Sequence, residues 1–284
     1  GRQVPQPRLT AETGALAFLS MRAPLAALAA ILFMHASPAA AVTPVDLELV
    51  LAVDVSRSMD GDEQALQRLG YANAFRHPDV IAAIGSGALG RIAVTYVEWA
   101  GPSFQLVRVP WTLVSGKADA EAFAAQVEAA PLTREMGTSI SGGLLFAGLQ
   151  FEGSPFAGGR RTIDVSGDGP NNMGLPVDMM RDRIVARGIT VNGLPITLKP
   201  GFGYSAFSIP NLDIYYEDCV IGGPGAFMIT VDDMQRFEIA VRRKLILEIA
   251  GLTPRVMKAA APLRAPRVDC LIGEKTRGPW LRDR

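Results

Sequence analysis

The sequence predicts an α/β fold: a doubly wound, mostly parallel sheet with helices on both faces and one antiparallel edge strand. Three observations carry this. From Val45 onward, short β-like apolar runs alternate with longer helical ones, the order that lays parallel strands beside one another through crossover helices. The first run, "DLELVLAVD" at 46–54, is apolar almost throughout, as strands covered on both faces are. Two of the runs then end in a carboxylate, Asp54 and Asp168, at the strand ends where such sheets bind ligands.

The elements follow in order. "GDEQALQRLGYANAFRHPDVIAAI" is helical in composition, with Leu66, Leu69, Ala72 and Phe75 as its apolar positions, and breaks before Pro78. "RIAVTYVEWAG" is a strand rich in β-branched and aromatic residues, and "SFQLVRVPWTLV" is its hairpin partner. Pro110 assigns that partner to the sheet edge. "KADAEAFAAQVEAAP" is a helix ended by Pro131, and "TSISGGLLFAGLQF" is another, with Ile140, Leu144 and Ala147 on its apolar face. "RRTIDVSGDG" is a strand. "VDMMRDRIVARG" is an amphipathic helix stopped by Gly188 and feeding the strand "ITVNGLPI". After a Gly- and aromatic-rich crossing, "AFMITV" reads as a short strand. "DDMQRFEIAVRRKLILEIAG" is a long helix with acids in its first turn, Phe237, Val241, Leu245 and Ile249 four apart, and Gly251 as its stop.

Composition sets the function classes. With 284 residues, 49% hydrophobic and 20% charged, the chain is globular with a substantial core. Its formal net charge of zero gives no reason to expect nucleic acid or an anionic membrane as partner. Residues 21–41, "MRAPLAALAAILFMHASPAAA", have a charged start, an apolar stretch and a small-residue cleavage site, the order of a signal peptide. That stretch is too short to span a bilayer, so the mature chain has no expected transmembrane segment. Residues 1–20 read as an over-extended start or appended residues. The expected division is therefore 1–20, signal peptide 21–41, a domain at 42–251 and a tail at 252–284. The tail is rich in Pro, Ala and basic residues, and is expected to be extended or loosely packed and pinned by Cys270. The expected compartment is the periplasm.

In residues 42–284 the single histidine is His77, which rules out a His-rich zinc site and argues against a Ser-His-Asp triad; before Pro78 it reads as a turn residue. The cysteine pair Cys219 and Cys270 suggests a disulfide outside the cytoplasm, with two buried thiols as the alternative.

The chemistry concentrates in three segments: Asp54-x-Ser56-x-Ser58, Thr138 in "GTSISGG", and Asp168 in "SGDGPNN". Alternate residues of an extended segment point the same way, so Asp54, Ser56 and Ser58 can converge. Three hydroxyls and two carboxylates make an oxygen shell suited to Mg²⁺, with Mn²⁺ or Ca²⁺ as alternatives. Helix capping is the competing reading, by Ser58 with Asp62 and Thr138 with Ser141. Asn171 and Asn172 belong to the site rim or simply to a turn.

These three parts, in this order and each at a strand–helix junction, resemble a von Willebrand factor A-type domain with a metal-ion-dependent adhesion site, over about Val45 to Gly251. More narrowly, "DVSRSM", "YVEWAG", "GTSISGGL", "SGDGPNN" and "YYEDCVIGGPGAF" are similar to a secreted bacterial family, mainly alphaproteobacterial, that carries a domain of unknown function. The resemblance implies that Ser56, Ser58 and Thr138 bind the cation. Asp168 would exchange between direct and water-mediated contact, and Asp54 would hold the waters and hydroxyls from behind. It also implies one coordination position left open for a carboxylate on a protein partner.

The leading functional expectation is thus a non-enzymatic binding module. The alternative is a Mg²⁺-dependent hydrolase of phosphate esters. Against it, Asp54 has no second Asp two residues on, Arg57 is the one basic residue in the three loops, and no Gly-rich stretch ends in G-K-[ST]. A third possibility is a purely structural domain clamped by the cation.

Overall fold

The computed structural model describes residues 42–197, 208–252 and 267–276, together with Gly1. The expectations for residues 1–20 beyond Gly1, for the signal peptide and for most of the tail lie outside the described residues. Five strands, β1 (Thr43–Asp54), β2 (Ile92–Trp99), β3 (Gln105–Val114), β4 (Phe156–Gly167) and β5 (Thr190–Pro195), form one sheet in the order β3-β2-β1-β4-β5. β1 pairs in parallel with β2 and with β4, β4 pairs in parallel with β5, and β3 runs antiparallel to β2 at the edge. The doubly wound fold class is therefore the observed one, with Pro110 on the edge strand.

Seven helices within residues 42–252 surround the sheet: α1 (Gly61–Arg76), α2 (Pro78–Gly85), α3 (Lys117–Ala129), α4 (Ile140–Gln150), α5 (Val177–Ala186), α6 (Leu212–Tyr215) and α7 (Phe237–Ala250). β1 serves two cores at once. Leu47, Leu49, Leu51 and Val53 face α1, α2, α3 and α7, whereas Val50 and Ala52 face α4, α5 and α6. Coverage on both sides is what made the run continuously apolar.

Three details differ from the sequence expectation. In α1, Ala72 and Phe75 are buried as expected, but Leu66 and Leu69 are exposed (45% and 40%), and Gln64, Gln67, Arg68 and Tyr71 are buried in their place. A spacing of three loses about 60° per step on a helix of 3.6 residues per turn, so Leu66 and Phe75 point in opposite directions. "AFMITV" forms no strand; it touches β5 through isolated bridges at Gly193–Met228 and Ile196–Val231. Pro195 has no N–H to offer the Ile229 carbonyl, which breaks the ladder between these bridges, and the Phe227 N–H goes to the Asn192 side chain (3.0 Å). Finally, α7 starts later than its acids suggest. Asp233 caps a 3₁₀ turn at Met234–Arg236, and the α-helix begins at Phe237.

β4 is two-faced. Ile163 and Val165 join the apolar core under α4 and α5, while Thr162, Asp164 and Ser166 are buried on the α1/α7 side. There Lys244 of α7, fully buried, lies 2.7 Å from Asp164 Oδ1 and pairs with Glu248 one turn on. The Lys–Asp contact is an ion pair. Asn192 Nδ2 donates to Glu248 Oε1 (2.8 Å), and Gln67 Nε2 donates to Ser166 Oγ (3.3 Å). α7 is thus tied to β4 and β5 by charge as well as by Phe237, Val241, Leu245 and Ile249. Gly251, at φ 66°, ends it.

Candidate metal centre

The three sequence segments meet at the carboxyl edge of β1 and β4, where the strand order reverses direction. β1 delivers Asp54, whose Oδ1 accepts from the Ser56 N–H (2.7 Å). The Ser56 and Ser58 hydroxyls are 2.7 Å apart, and Ser58 Oγ donates to Asp168 Oδ1 (2.6 Å) across 110 residues of chain. A continuous line of oxygens therefore runs from the β1–α1 loop to the β4–α5 loop.

The capping duties belong to neighbours of these residues. Asp60 caps α1, accepting from Glu63 N–H, while Glu63 returns a bond to the Asp60 N–H. Ser139 caps α4 by accepting from Gly142 N–H (3.1 Å). Ser58 and Thr138 are not the N-caps, so capping does not account for their hydroxyls.

Thr138 enters on a loop that is stitched to both others. Arg57 N–H donates to Glu135 O and Glu135 N–H to Val55 O, and Ser139 N–H bonds Ala100 O at the end of β2. Asn172 brackets Thr138: its Oδ1 accepts from the Thr138 N–H (3.0 Å), and its own N–H donates to the Thr138 carbonyl (2.8 Å). Among the described residues no hydrogen bond links the Thr138 side chain to the Ser56–Ser58–Asp168 line.

Sequence reasoning missed the residues that hold these loops. Glu98, fully buried at the end of β2, is clasped by Arg68 (2.6 Å) and Arg108 (2.6 Å). Arg68 also donates to the Ala130 and Pro131 carbonyls, and Arg108 to Thr133 Oγ1, so the pair anchors the start of the Thr138 loop. Arg134 bonds Arg57 O and Met59 O. The available signal was a charge inside an apolar strand, "YVEWAG", since a buried carboxylate needs partners. Trp99 packs in the core beneath α4; a Cβ at Gly143 would lie 2.8 Å from its ring, so a close approach requires glycine there.

The electrostatics suit a cation. Asp54 is completely buried and its Oδ2 has no hydrogen-bond partner. Burial, then the nearby Asp168 carboxylate, raise its pKa well above the ordinary carboxylate range. Burial likewise raises Asp168 to about 6, against the lowering effect of the Ser58 hydrogen bond. Two carboxylates confined together with an orphaned oxygen are stabilised by a positive ion. Among the described residues no three His, Cys, Asp or Glu side chains are placed to hold a metal ion by themselves, so a cation here relies on hydroxyls, and the donor set is all oxygen, as hard ions prefer. The residues present fit such an ion.

A disulfide joins Cys219 and Cys270 in this structure, with Cα atoms 5.6 Å apart. His77 caps α2, accepting from the Asp79 N–H.

Comparisons with solved structures agree on the fold. Proximal thread matrix protein 1 from the mussel byssus matches with TM-score 0.51 and 17% identity, over 73% of this chain and 49% of that one. The pilus adhesin SpaC from Lactobacillus rhamnosus GG matches with TM-score 0.52 and 13% identity, over 73% and 31%. A von Willebrand factor type A protein from Catenulispora acidiphila matches with TM-score 0.50 and 16% identity, over 72% and 43%. This chain spans half or less of the length of each. No curated protein matches the sequence. The von Willebrand factor A-like fold is shared, and a family profile covers residues 44–253: the chain belongs to the family of proteins of unknown function DUF1194.

Proposed function

We propose that this domain is a cation-dependent binding module that engages an acidic group on a protein partner. Ser56, Ser58 and Thr138 supply hydroxyls, Asp168 a carboxylate, and Asp54 a buried charge behind them. Mg²⁺ is the expected ion, with Mn²⁺ or Ca²⁺ as substitutes. When bound, the ion supplies a positive centre for a partner carboxylate, an attraction that strengthens as water is excluded.

The chain's own residues prepare that surface. Asp54 orients the Ser56 backbone, the Ser58 hydroxyl holds Asp168 in line, and Asn172 fixes Thr138 from both sides. The observation that carries the reading is the Ser56–Ser58–Asp168 line over the orphaned Asp54 oxygen, with capping assigned to Asp60 and Ser139. The structural neighbours include a pilus adhesin, a protein with the same fold. The expected setting is the periplasm, after removal of residues 21–41; no helix among the described residues is long and apolar enough to cross a membrane.

The test is calorimetric titration of the protein with Mg²⁺ and Mn²⁺, beside Asp54→Ala and Asp168→Ala. Saturable binding lost in both variants supports the proposal, and a partner then captured only without chelator extends it. A folded wild-type protein that binds neither ion would end it.

A further inference from the structure

The family match ends at residue 253, yet a segment beyond it reaches back to the candidate metal centre. Residues 267–276, helical at 272–276, lie against the loop that carries Asp168. Their contact is Asn171, three residues past that aspartate and fully buried.

Asn171 is a junction. Its Oδ1 accepts from the Ser141 N–H in the first turn of α4 (3.0 Å), and its Nδ2 donates to Leu175 O (3.1 Å) and to Glu274 Oε1 (2.7 Å). Its N–H donates to Tyr215 Oη (3.1 Å), which in turn donates to the Cys270 carbonyl (3.4 Å). The segment thus grips one residue by two routes. It also presses directly on it: a Cβ at Gly273 would stand 2.2 Å from Asn171 O and 3.1 Å from Pro170 Cγ.

The segment is fastened at its other end. Cys270 is bonded to Cys219 in the π-helical turn Tyr216–Val220. Arg267 pairs with Glu217 and with Asp218 (3.0 Å) of the same turn. Glu274 is half-buried, and its Oε2 is enclosed without a hydrogen bond. A carboxylate held in that position is costly unless its other oxygen has a use, and the use visible here is Asn171.

We propose that residues 267–276 are a strap that positions the Asp168 loop for cation binding, with Glu274 acting on Asn171 and the Cys219–Cys270 bond fixing the strap. The proposal rests on the cation-site reading above. Glu274 is a positioning residue: it touches no expected ligand of the ion but holds the residue that links the Asp168 loop to α4, as partners outside a ligand set hold metal ligands.

The experiment compares the full chain with Glu274→Ala, Glu274→Gln and the double variant Cys219→Ser/Cys270→Ser. Mn²⁺ affinity is measured by calorimetry, and amide hydrogen exchange at residues 168–173 is followed without metal. Glu274→Ala is expected to bind Mn²⁺ about tenfold more weakly, the usual scale for such a partner, with faster exchange at 168–173. Glu274→Gln is expected to return to within about twofold, because its amide oxygen still accepts from Asn171; a merely space-filling role would not separate Ala from Gln in this way. The cysteine variant should resemble Glu274→Ala. Wild-type exchange in folded Glu274→Ala and in the cysteine variant overturns the strap. A wild-type chain that binds no Mn²⁺ overturns the cation reading and the strap's role in it, while the exchange measurement still decides whether the segment braces the loop.

Discussion

Replacing Lys244 with Met should destabilise the protein in a strongly pH-dependent way. The ammonium is fully buried between Asp164 and Glu248 and opposes the raised pKa of each. In the native protein burial, then Asp164, raise Glu248 from its ordinary 4.5 to about 7. Between those values the folded state holds a proton that the unfolded chain has released. Stability from this group is therefore full below the unfolded pKa and is lost as pH rises through about 7. Without Lys244 both carboxyls must stay neutral when folded, and each then costs about 1.4 kcal/mol per pH unit above its unfolded pKa. That is about 6 kcal/mol for Asp164 at pH 8 and about 1.5 kcal/mol at pH 5, partly relieved by relaxation. Met roughly conserves volume, so packing adds little. Urea unfolding followed by tryptophan fluorescence should give a loss of about 4–6 kcal/mol at pH 8 and about 1–2 kcal/mol at pH 5. An equal loss at both pH values would refute the charge argument and make the effect one of packing alone.

Three further outcomes follow from the site and its supports. Asp54→Asn removes a buried like charge, so the metal-free protein should gain about 1–3 kcal/mol at pH 8 by chemical denaturation. The same variant should lose the rise in Tm of about 5–10 °C expected for wild type at Mg²⁺ of about one hundred times Kd. Asp60→Ala should cost about 1 kcal/mol through the α1 cap and leave Mn²⁺ affinity unchanged in calorimetry; a parallel loss of affinity would show that cap and site are one unit. Arg68→Met leaves Glu98 with Arg108 alone and frees the Ala130 and Pro131 carbonyls, so urea unfolding should show a loss of about 3–5 kcal/mol, and proteolysis should report a looser 130–138 loop.

Much of the architecture was legible because it rests on local chemistry. The two-sided burial of β1 shows as an unbroken apolar run, the edge position of β3 as Pro110, and the stops of α5 and α7 as Gly188 and Gly251. Asp54, Ser56, Ser58 and Asp168 could be gathered because strand ends in a parallel sheet converge. The misreadings arise where the decisive partner is remote. Leu66 and Leu69 looked like a core stripe, but α1 buries Arg68 for Glu98 and Gln67 for Ser166. "AFMITV" has strand chemistry, yet Pro195 of the facing strand lacks the N–H that would have joined its two bridges, and Asn192 takes the Phe227 N–H. Asn171 and Asn172 looked equally like a turn, and only tertiary contacts with Ser141, Glu274 and Thr138 show them as braces. Charges inside otherwise apolar runs, Glu98, Asp164 and Lys244, were the local trace of those contacts.

The disulfide between Cys219 and Cys270 bears on where this polypeptide can be cut. A fragment ending at residue 253, the natural choice from the family boundary, would keep every strand of the sheet and all of α1 to α7. It would also leave Cys219 as an unpaired thiol at the protein's interior, strip Asn171 of its Glu274 partner and uncover Pro170. On the proposed role of residues 267–276, the working chain is longer than the family boundary, and expression vectors, docking studies and sequence-trimming schemes should carry the polypeptide through Thr276.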